Sequence, residues 1–339
     1  METTKERREA IDVVITWVDG NDPAWLEQKR QYSPKDKQIN LAASHDIRFR
    51  EWDNIKYIFR GIESFMPWVN NIYFITWGHL PKWLNTNHEK LRIVRHDEYI
   101  PAKYLPTFNS DVIELNMHRI KGLSEYFINF NDDTFVIGPT KKEDFFQNGK
   151  PRTEAILSPY PVSPNGIACT EMNNLEIINK YFSVGDIRKN IKNWICPMYG
   201  KKGLRTLAFL HAPCIFGILE PHTQLSLTKS TLANLWEKEH AVLDNTCNHR
   251  FRSKEDVNIW LVRHWQLLEG NFIPRRSSFG RNATLPRDYE IALKLLSNPG
   301  RCRLLCINDS LLVDDFESLK QEINSHLDHL LPVKSKFEL

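Results

Sequence analysis

The chain has 339 residues, of which 41% are hydrophobic and 26% charged, and its formal net charge is +3. This composition is ordinary for a globular protein and excludes a disordered or fibrous chain. The net charge is too small to indicate nucleic acid as a partner, and no apolar run reaches the roughly 20 residues of a membrane span. At roughly 150 residues per domain, the length allows two domains or one large α/β domain.

The first half of the chain alternates strand and helix patterns. Apolar, β-branched runs that end at turn residues are typical of buried strands, whereas apolar residues three and four positions apart indicate helices. These patterns predict, in order, a strand (11–18), a helix (53–65), a strand (71–76), a short helix, a strand (91–94), a helix (109–123) and a strand (127–130). Such alternation predicts an α/β fold with a mainly parallel sheet flanked by helices.

The second half is less regular. Residues from about 150 to 205 show weak periodicity and include a proline-rich loop at 158–164. The remaining elements predicted are helices at 226–239, 254–268, 291–297 and 316–330, and a strand at 304–307.

Six cysteines occur without the paired spacing of a zinc site, and the charged residues 1–9 lack the apolar core of a signal peptide. We therefore expect reduced thiols in a cytoplasmic protein, with a peripheral contact at the inner face of the membrane left open.

Polar residues follow two of the predicted strands. Asp19, Asn21 and Asp22 come after the first strand, and Asp132 and Asp133 come after the fourth. Ligands of open α/β sheets bind at the carboxyl ends of strands, so both loops are candidate sites. An Asp-Gly pair is also a common turn. Adjacent carboxylates repel each other, and the second pair therefore favours a bound cation.

Two further groups could carry chemistry. Glu114 and His118 have the spacing of one helical face, with Arg119 slightly round from it, and such a group is also typical of a surface salt-bridge ladder. A distal group contains His211, His249, Arg250 and Arg252. A lone histidine among apolar residues, such as His211, is more often structural than catalytic, and Arg252 could be a solvated charge.

Four blocks of the chain, in order, resemble the conserved blocks of the Stealth family of sugar-1-phosphate transferases. The blocks are 11–22 (IDVVITWVDG and then Asn21-Asp22), 48–72 with 105–108 and 114–133, 211–256, and 306–309 with the final PVKSKFEL. The family includes bacterial capsular and cell-wall polysaccharide phosphotransferases and the animal N-acetylglucosamine-1-phosphotransferase. The chain resembles the compact bacterial form.

The resemblance implies a reaction. Hexose-1-phosphate or N-acetylhexosamine-1-phosphate would pass from a UDP-sugar to a hydroxyl of an oligo- or polysaccharide, lipid-linked or free, with release of UMP. Family residues implicated in activity match Glu114, Asp133, His211 and Arg252. Substrate contacts would come from Asp19, Asn21, Asp22, His118 and Arg119, and Mg²⁺ or Mn²⁺ would bind Asp132, Asp133 and Asp309.

The resemblance also implies a Rossmann-like or GT-A-like fold in three parts. Residues 1–145 would form a nucleotide-sugar-binding core, 146–205 a variable insertion for the acceptor, and 206–339 a helix-rich part that completes the active site. Two alternatives stay open from the residues themselves: a conventional metal-dependent glycosyltransferase, and a non-catalytic glycan-binding component of a polysaccharide assembly complex.

Overall fold

The computed structural model describes residues 10–33, 50–160, 168–310, 313 and 315–339. Within these ranges the strands are β1 Ile11–Thr16, β2 Ile72–Thr76, β3 Leu91–Arg95, β4 Tyr126–Phe130, β5 Thr134–Val136, β6 Phe146–Gln147, β7 Lys150–Thr153, β8 Leu225–Thr228, β9 Ile273–Pro274, β10 Gly280–Thr284 and β11 Leu304–Asn308.

The α-helices of the described ranges are α1 Pro23–Tyr32, α2 Ile55–Phe65, α3 Ser110–Leu115, α4 Ala168–Tyr181, α5 Val184–Lys189, α6 Ile191–Trp194, α7 Leu204–Phe209, α8 Lys229–Lys238, α9 His240–Asn248, α10 Trp260–Leu268, α11 Tyr289–Ser297 and α12 Phe316–Leu330. Short 3₁₀ turns occur at His96–Glu98, Ala102–Tyr104, Met117–Arg119, Lys142–Asp144 and Pro197–Gly203. None of these helices combines the length and apolar character of a bilayer-spanning segment.

A five-stranded sheet, in the order β3-β2-β1-β4-β8, forms the centre of the protein. The first four strands are parallel, and β8 runs antiparallel to β4. Parallel sheets are covered on both faces, which explains why the inner strands β1 and β4 and their neighbour β2 are almost entirely buried. The predicted α/β fold with a mainly parallel sheet flanked by helices is confirmed.

Each face of this sheet supports its own apolar core, because alternate side chains of a strand point to opposite faces. Val14 and Phe127 lie on one face with side chains of α3, α4 and α8–α10. Val13 and Ile128 lie on the other face with α2, α11, α12 and the three-stranded sheet β10-β11-β5. The first core draws on all three predicted parts of the chain, and the division at 145 and 205 stays a prediction.

Close contact between α2 and β5 depends on Gly61. A Cβ atom at this position would lie 2.8 Å from the carbonyl oxygen of Val136, which is shorter than any normal contact. The small residue therefore lets the helix lie directly on the second sheet. A third small sheet, in the order β6-β7-β9, completes the fold.

Several predicted elements were wrong in extent or type. The predicted short helix between β2 and β3 is a series of turns. The predicted helix at 226–239 begins with strand β8, and the helix at 254–268 begins only at Trp260. The weakly periodic stretch 150–205 contains α4, α5, α6 and the start of α7. Residues 1–9, 48–49 and 161–164, which entered the predictions above, lie outside the described residues.

The predicted helix at 109–123 ends at Leu115 and is followed by the 3₁₀ turn Met117–Arg119. Its end has a local cause. The buried Asn116 side chain donates from Nδ2 to the carbonyl oxygen of Val112 at 2.9 Å, and such side-chain bonds to the backbone compete with helix continuation.

A buried ion pair fixes the end of the chain to α2. Arg60 donates from Nε and Nη2 to the two carboxylate oxygens of Glu338, each at 2.8 Å, and the side chains are 7% and 3% exposed. Arg60 also donates to the carbonyl oxygen of Leu331 at 2.9 Å. The next residue, Leu339, donates from its backbone N–H to the carbonyl oxygen of Trp83 at 2.8 Å. These contacts hold the C-terminal residues against α2 and the loop that follows β2.

We expect Arg60→Ala to lower the free energy of unfolding by about 3 to 5 kcal/mol, because the carboxylate of Glu338 would stay buried without its partner. Urea unfolding followed by circular dichroism measures this change. Arg30→Ala is the matched control, since Arg30 and Glu27 pair with side chains 78% and 48% exposed, and its expected effect is below about 1 kcal/mol. Equal losses for the two variants would contradict a structural role of the buried pair.

Candidate active site

A cavity of about 330 Å³ opens at the carboxyl edge of the main sheet. Its wall includes Thr16 and Trp17 at the end of β1, Asn129 and Asn131 at the end of β4, and Leu225 at the start of β8. Because β8 is antiparallel, its first residue pairs with Asn129 and lies at the same edge as the ends of β1 and β4. This edge is where open α/β sheets bind their ligands.

Glu114 lies on α3 in the wall of this cavity and is only 6% exposed. The side chain of Asn129 donates from Nδ2 to its Oε1 at 3.1 Å. The pKa of Glu114 is raised to about 7, chiefly by burial and next by the nearby carboxylate of Asp111; Asp133 also raises it, whereas Asn129 and Arg252 lower it. A carboxyl group with a pKa near 7 can exchange a proton at neutral pH.

Asp132 and Asp133 follow β4 and line the same cavity, Asp132 with an exposed side chain and Asp133 half-buried. The thiol of the buried Cys306, on β11, donates to Oδ2 of Asp133 at 3.3 Å. The backbone N–H of Ile307 donates to the carbonyl oxygen of Asp133 at 2.9 Å. The second sheet therefore fixes the position of this acidic loop.

Arg252 reaches the cavity from the loop that follows α9. Its Nη2 donates to the hydroxyl of Ser110, and its Nε lies 3.7 Å from Oδ2 of Asp111, both in the first turn of α3. The guanidinium side chain remains 27% exposed. Arg252 can therefore contact an anionic ligand while its neighbours on α3 hold it in place.

His211 does not take part in this arrangement. It follows α7 in an exposed turn, and it does not line the cavity that the described residues form. His222, just before β8, lines the cavity instead. Its ring packs edge-on against Trp260, with centroids 5.3 Å apart, and its φ of 45° lies in the left-handed region. Unusual backbone conformations of non-glycine residues cluster at functional sites.

The sequence contained a signal for His222 that the predictions missed. Leu225 to Thr228 reads LSLT, an alternating apolar and polar run after Pro221-His222-Thr223. If this run is recognised as a strand, the histidine falls at a strand terminus, next to the acidic loop after β4. The helical periodicity of 226–239 obscured the strand.

A smaller cavity of about 110 Å³ lies beside the first and shares Trp17, Asp132 and Asp133 with it. Asp309 lines this smaller cavity, where Nε1 of Trp52 donates to its Oδ2 at 3.3 Å and Arg50 lies 3.5 Å away. In the described part of the chain, no three His, Cys, Asp or Glu side chains cluster closely enough to hold a metal ion. The set of Asp132, Asp133 and Asp309 therefore does not converge on one point.

The loop after β1 has local contacts of its own. Asp19 Oδ1 accepts from the backbone N–H of Asn21 at 2.9 Å, and Asp22 caps α1 by accepting from the N–H of Trp25 at 2.8 Å. Oδ2 of Asp22 also lies 3.5 Å from Nδ1 of His79. Asp19, Asn21 and Asp22 line neither of the two cavities that the described residues form. The capping hydrogen bond gives Asp22 a structural role.

His118 and Arg119 are placed away from the cavity wall as well. Because the helix ends at Leu115, they lie on the 3₁₀ turn and pack against Trp236, with the Arg119 guanidinium 4.9 Å from the ring centroid. The pKa of His118 is lowered to about 4, chiefly by burial and also by the positive charge of Arg119. The structure thus brings together Glu114, Asp133 and Arg252, with His222 in addition.

Comparison with known proteins gives matches over nearly the whole chain. The family models described as Stealth protein CR1, conserved region 1, and Stealth protein CR2, conserved region 2, match residues 9–37 and 48–153. The capsular polysaccharide phosphotransferase WcwK of Streptococcus pneumoniae is 40% identical, with 97% of this chain and 98% of that protein covered. The receptor polysaccharide phosphotransferase WefC of Streptococcus oralis is 38% identical, with 97% and 99% covered.

Among solved structures, the galactosyltransferase LgtC in complex with donor and acceptor sugar analogues matches with a TM-score of 0.39. The sequences are 10% identical, and the match covers 95% of this chain and 97% of that chain.

We expect Glu114→Gln to become more stable relative to the wild type as the pH rises from 4.5 to 7. The folded protein holds the Glu114 proton throughout this window, from the ordinary pKa of 4.5 to the raised value of about 7. The contribution of Glu114 to the free energy of unfolding therefore falls as the pH rises, and the variant avoids this loss of about 2 to 3 kcal/mol. Urea unfolding at several pH values measures the difference. The control is Glu255→Gln, on the exposed Glu255, and an equal pH trend for both variants would refute the assignment.

Proposed function

Because this chain belongs to the Stealth family of polysaccharide phosphotransferases, we propose that it transfers a hexose-1-phosphate or N-acetylhexosamine-1-phosphate from a UDP-sugar to a glycan hydroxyl. The observation that carries the proposal is the cavity, which collects Glu114, Asp133, His222 and Arg252 from three distant parts of the sequence. A proton acceptor, an acidic loop, an imidazole and a guanidinium together suit phosphoryl transfer.

The proposed reaction forms one P–O bond and breaks another. The acceptor oxygen attacks the sugar-bearing phosphorus, and the oxygen between the two phosphorus atoms leaves with UMP. The bond from the anomeric carbon to its oxygen is untouched, so the configuration of the sugar is retained. The hydroxyl proton passes to a base, and the negative charge that develops on the leaving phosphate requires nearby positive charge.

We assign the base to Glu114. Its pKa of about 7 makes it a far better proton acceptor than an ordinary carboxylate, yet it is partly ionised at neutral pH. Asn129 holds Oε1 at 3.1 Å, so the carboxyl group is fixed at the cavity wall. Arg252 would bind the phosphate oxygens, a role that its partial exposure allows.

His222 takes the role that the sequence had suggested for His211. An imidazole N–H can donate a hydrogen bond to a phosphoryl oxygen. The left-handed backbone of His222 and the packing of its ring on Trp260 hold the side chain at the cavity.

Asp132 and Asp133 fit a Mg²⁺ or Mn²⁺ ion. Carboxylate oxygens are the ligands that such hard cations prefer, and Mg²⁺ is commonly held by one or two carboxylates plus substrate phosphates rather than by a complete protein cage. The two carboxylates at the cavity wall match this pattern of binding. When bound, the ion would neutralise charge on the diphosphate.

The two neighbouring cavities suggest how the substrates divide. We place the nucleotide end of the donor in the smaller cavity, whose wall offers the rings of Trp17 and Trp52 and the charge of Arg50. The diphosphate then lies at the shared wall beside Asp132 and Asp133. The sugar and the acceptor, an oligo- or polysaccharide, occupy the larger cavity with Glu114.

All six cysteines are unpaired, which supports a cytoplasmic location.

The reaction is tested by incubating the purified protein with a series of UDP-sugars, Mg²⁺ and acceptor glycan. We expect release of UMP and a phosphodiester signal from the glycan in ³¹P NMR. Release of UDP with a new glycosidic bond would indicate a conventional glycosyltransferase. Glycan binding without turnover of any UDP-sugar would indicate a non-catalytic component.

We expect His222→Ala to lower the transfer rate by about 100-fold or more, because a group that contacts the reacting phosphoryl contributes at this level. His211→Ala is the matched control and should keep nearly the full rate, since His211 is exposed outside the cavity wall. UMP release and thermal melting are measured for both variants. The reverse pattern, with loss at His211 only, would overturn the assignment.

A further inference from the structure

The stretch 187–219 has an unusual charge. It contains six Lys and Arg residues and no Asp or Glu, although the whole chain has a net charge of only +3. The rest of the chain therefore has a net charge of −3, and the excess of positive over negative charge comes from one tenth of the sequence. The basic residues are Arg188, Lys189, Lys192, Lys201, Lys202 and Arg205, and all six are exposed. Such asymmetry favours a negatively charged partner.

Within this stretch, α7 presents an apolar face to solvent. Leu204 and Leu207 are three positions apart, so they share one face of the helix, and they are 62% and 47% exposed. The orientation of α7 is fixed from the other side, because the fully buried Thr206 accepts a hydrogen bond at Oγ1 from the backbone N–H of Leu157 at 3.1 Å. The side chains of the two leucines therefore face the solvent.

The apolar face continues into the segment after α7 and is bordered by positive charge. Phe216 is 43% exposed, and its ring centroid lies 6.5 Å from that of Phe209, the last residue of α7. Lys201 and Lys202 precede the helix, and Arg205 lies between the two leucines in sequence. We call Leu204, Leu207, Phe216 and these three basic residues the α7 surface.

We propose that the α7 surface binds a membrane that contains anionic lipids. Long basic side chains around exposed leucine and phenylalanine are the composition of interfacial membrane-binding elements, in which apolar side chains enter the headgroup region and Lys and Arg contact lipid phosphates. Protein interfaces, in contrast, are depleted in lysine, and a stable one buries roughly 800 Å² on each partner. A single six-residue helix with flanking lysines fits the lipid surface better.

Co-sedimentation with sucrose-loaded vesicles tests the proposal. Full-length protein is mixed with vesicles of phosphatidylcholine alone or with phosphatidylglycerol, at low and at high salt. We expect binding to the anionic vesicles only, weakened by salt. Leu204→Gln with Leu207→Gln, and Lys201→Glu with Lys202→Glu, should each lower the partition coefficient at least about tenfold. The mixture contains no nucleotide-sugar, so the outcome is independent of the proposed reaction.

Matched controls lie elsewhere on the surface. Leu26→Gln changes a leucine that is 44% exposed on α1, and Lys141→Glu with Lys142→Glu changes two adjacent exposed lysines. Neither variant changes the α7 surface. Both should therefore bind anionic vesicles within about twofold of the wild type, a difference smaller than the contribution of one basic residue. Equal losses in test and control variants, or no wild-type binding, would overturn the proposal. So would a wild-type dimer in gel filtration that Leu204→Gln with Leu207→Gln converts to monomer, because the α7 surface would then be a protein interface.

Discussion

The candidate site depends on one buried carboxylate, Asp256. Its Oδ2 accepts hydrogen bonds from Nδ2 of Asn109 at 2.9 Å and from the backbone N–H of Ser253 at 2.7 Å, and its Oδ1 lies 2.6 Å from Nδ1 of His249. Burial raises the pKa of Asp256 and these hydrogen bonds oppose the rise. Asn109 caps α3, so Asp256 joins the helix that carries Glu114 to the loop that carries Arg252. Loss of one of these hydrogen bonds would leave the buried carboxylate partly unpaired, which costs free energy. The hydrogen bonds of Asp256 therefore fix the geometry of the loop.

Local sequence patterns were sufficient to predict much of the fold. β1, β2, β4 and β11 are short apolar runs bounded by turn residues, and α2 and α12 have clear helical periodicity, so burial dictates both sequence and structure there. The acidic loop at Asp132 and Asp133 was predictable for the same reason, because it follows a buried strand. The predicted sharing of one cavity by Glu114, Asp133 and Arg252 came from the family resemblance rather than from spacing.

The features that the sequence did not show depend on contacts between distant residues. Whether LSLT at 225–228 is a strand is decided by pairing with β4, about 100 residues earlier in the chain. His222 acquires its position only through that pairing. Likewise, His118 leaves the face of Glu114 because the buried Asn116 turns its amide back to Val112. Asp19 and Asp22 were identified as polar residues after a strand, but their side chains make a turn contact, a helix cap and an ion pair with His79.

The reversed direction of β8 also determines where the chain meets the edge that carries the cavity. The chain leaves this edge after Asp133 and returns to it at His222, so the two ends of the intervening 88 residues lie at one cavity. The described part of this stretch packs into both apolar cores, and it pairs β5 with β11 and β7 with β9. Because the pairing of β4 with β8 holds the two ends together, a single break in the chain between them would leave Asp133 and His222 at the same edge.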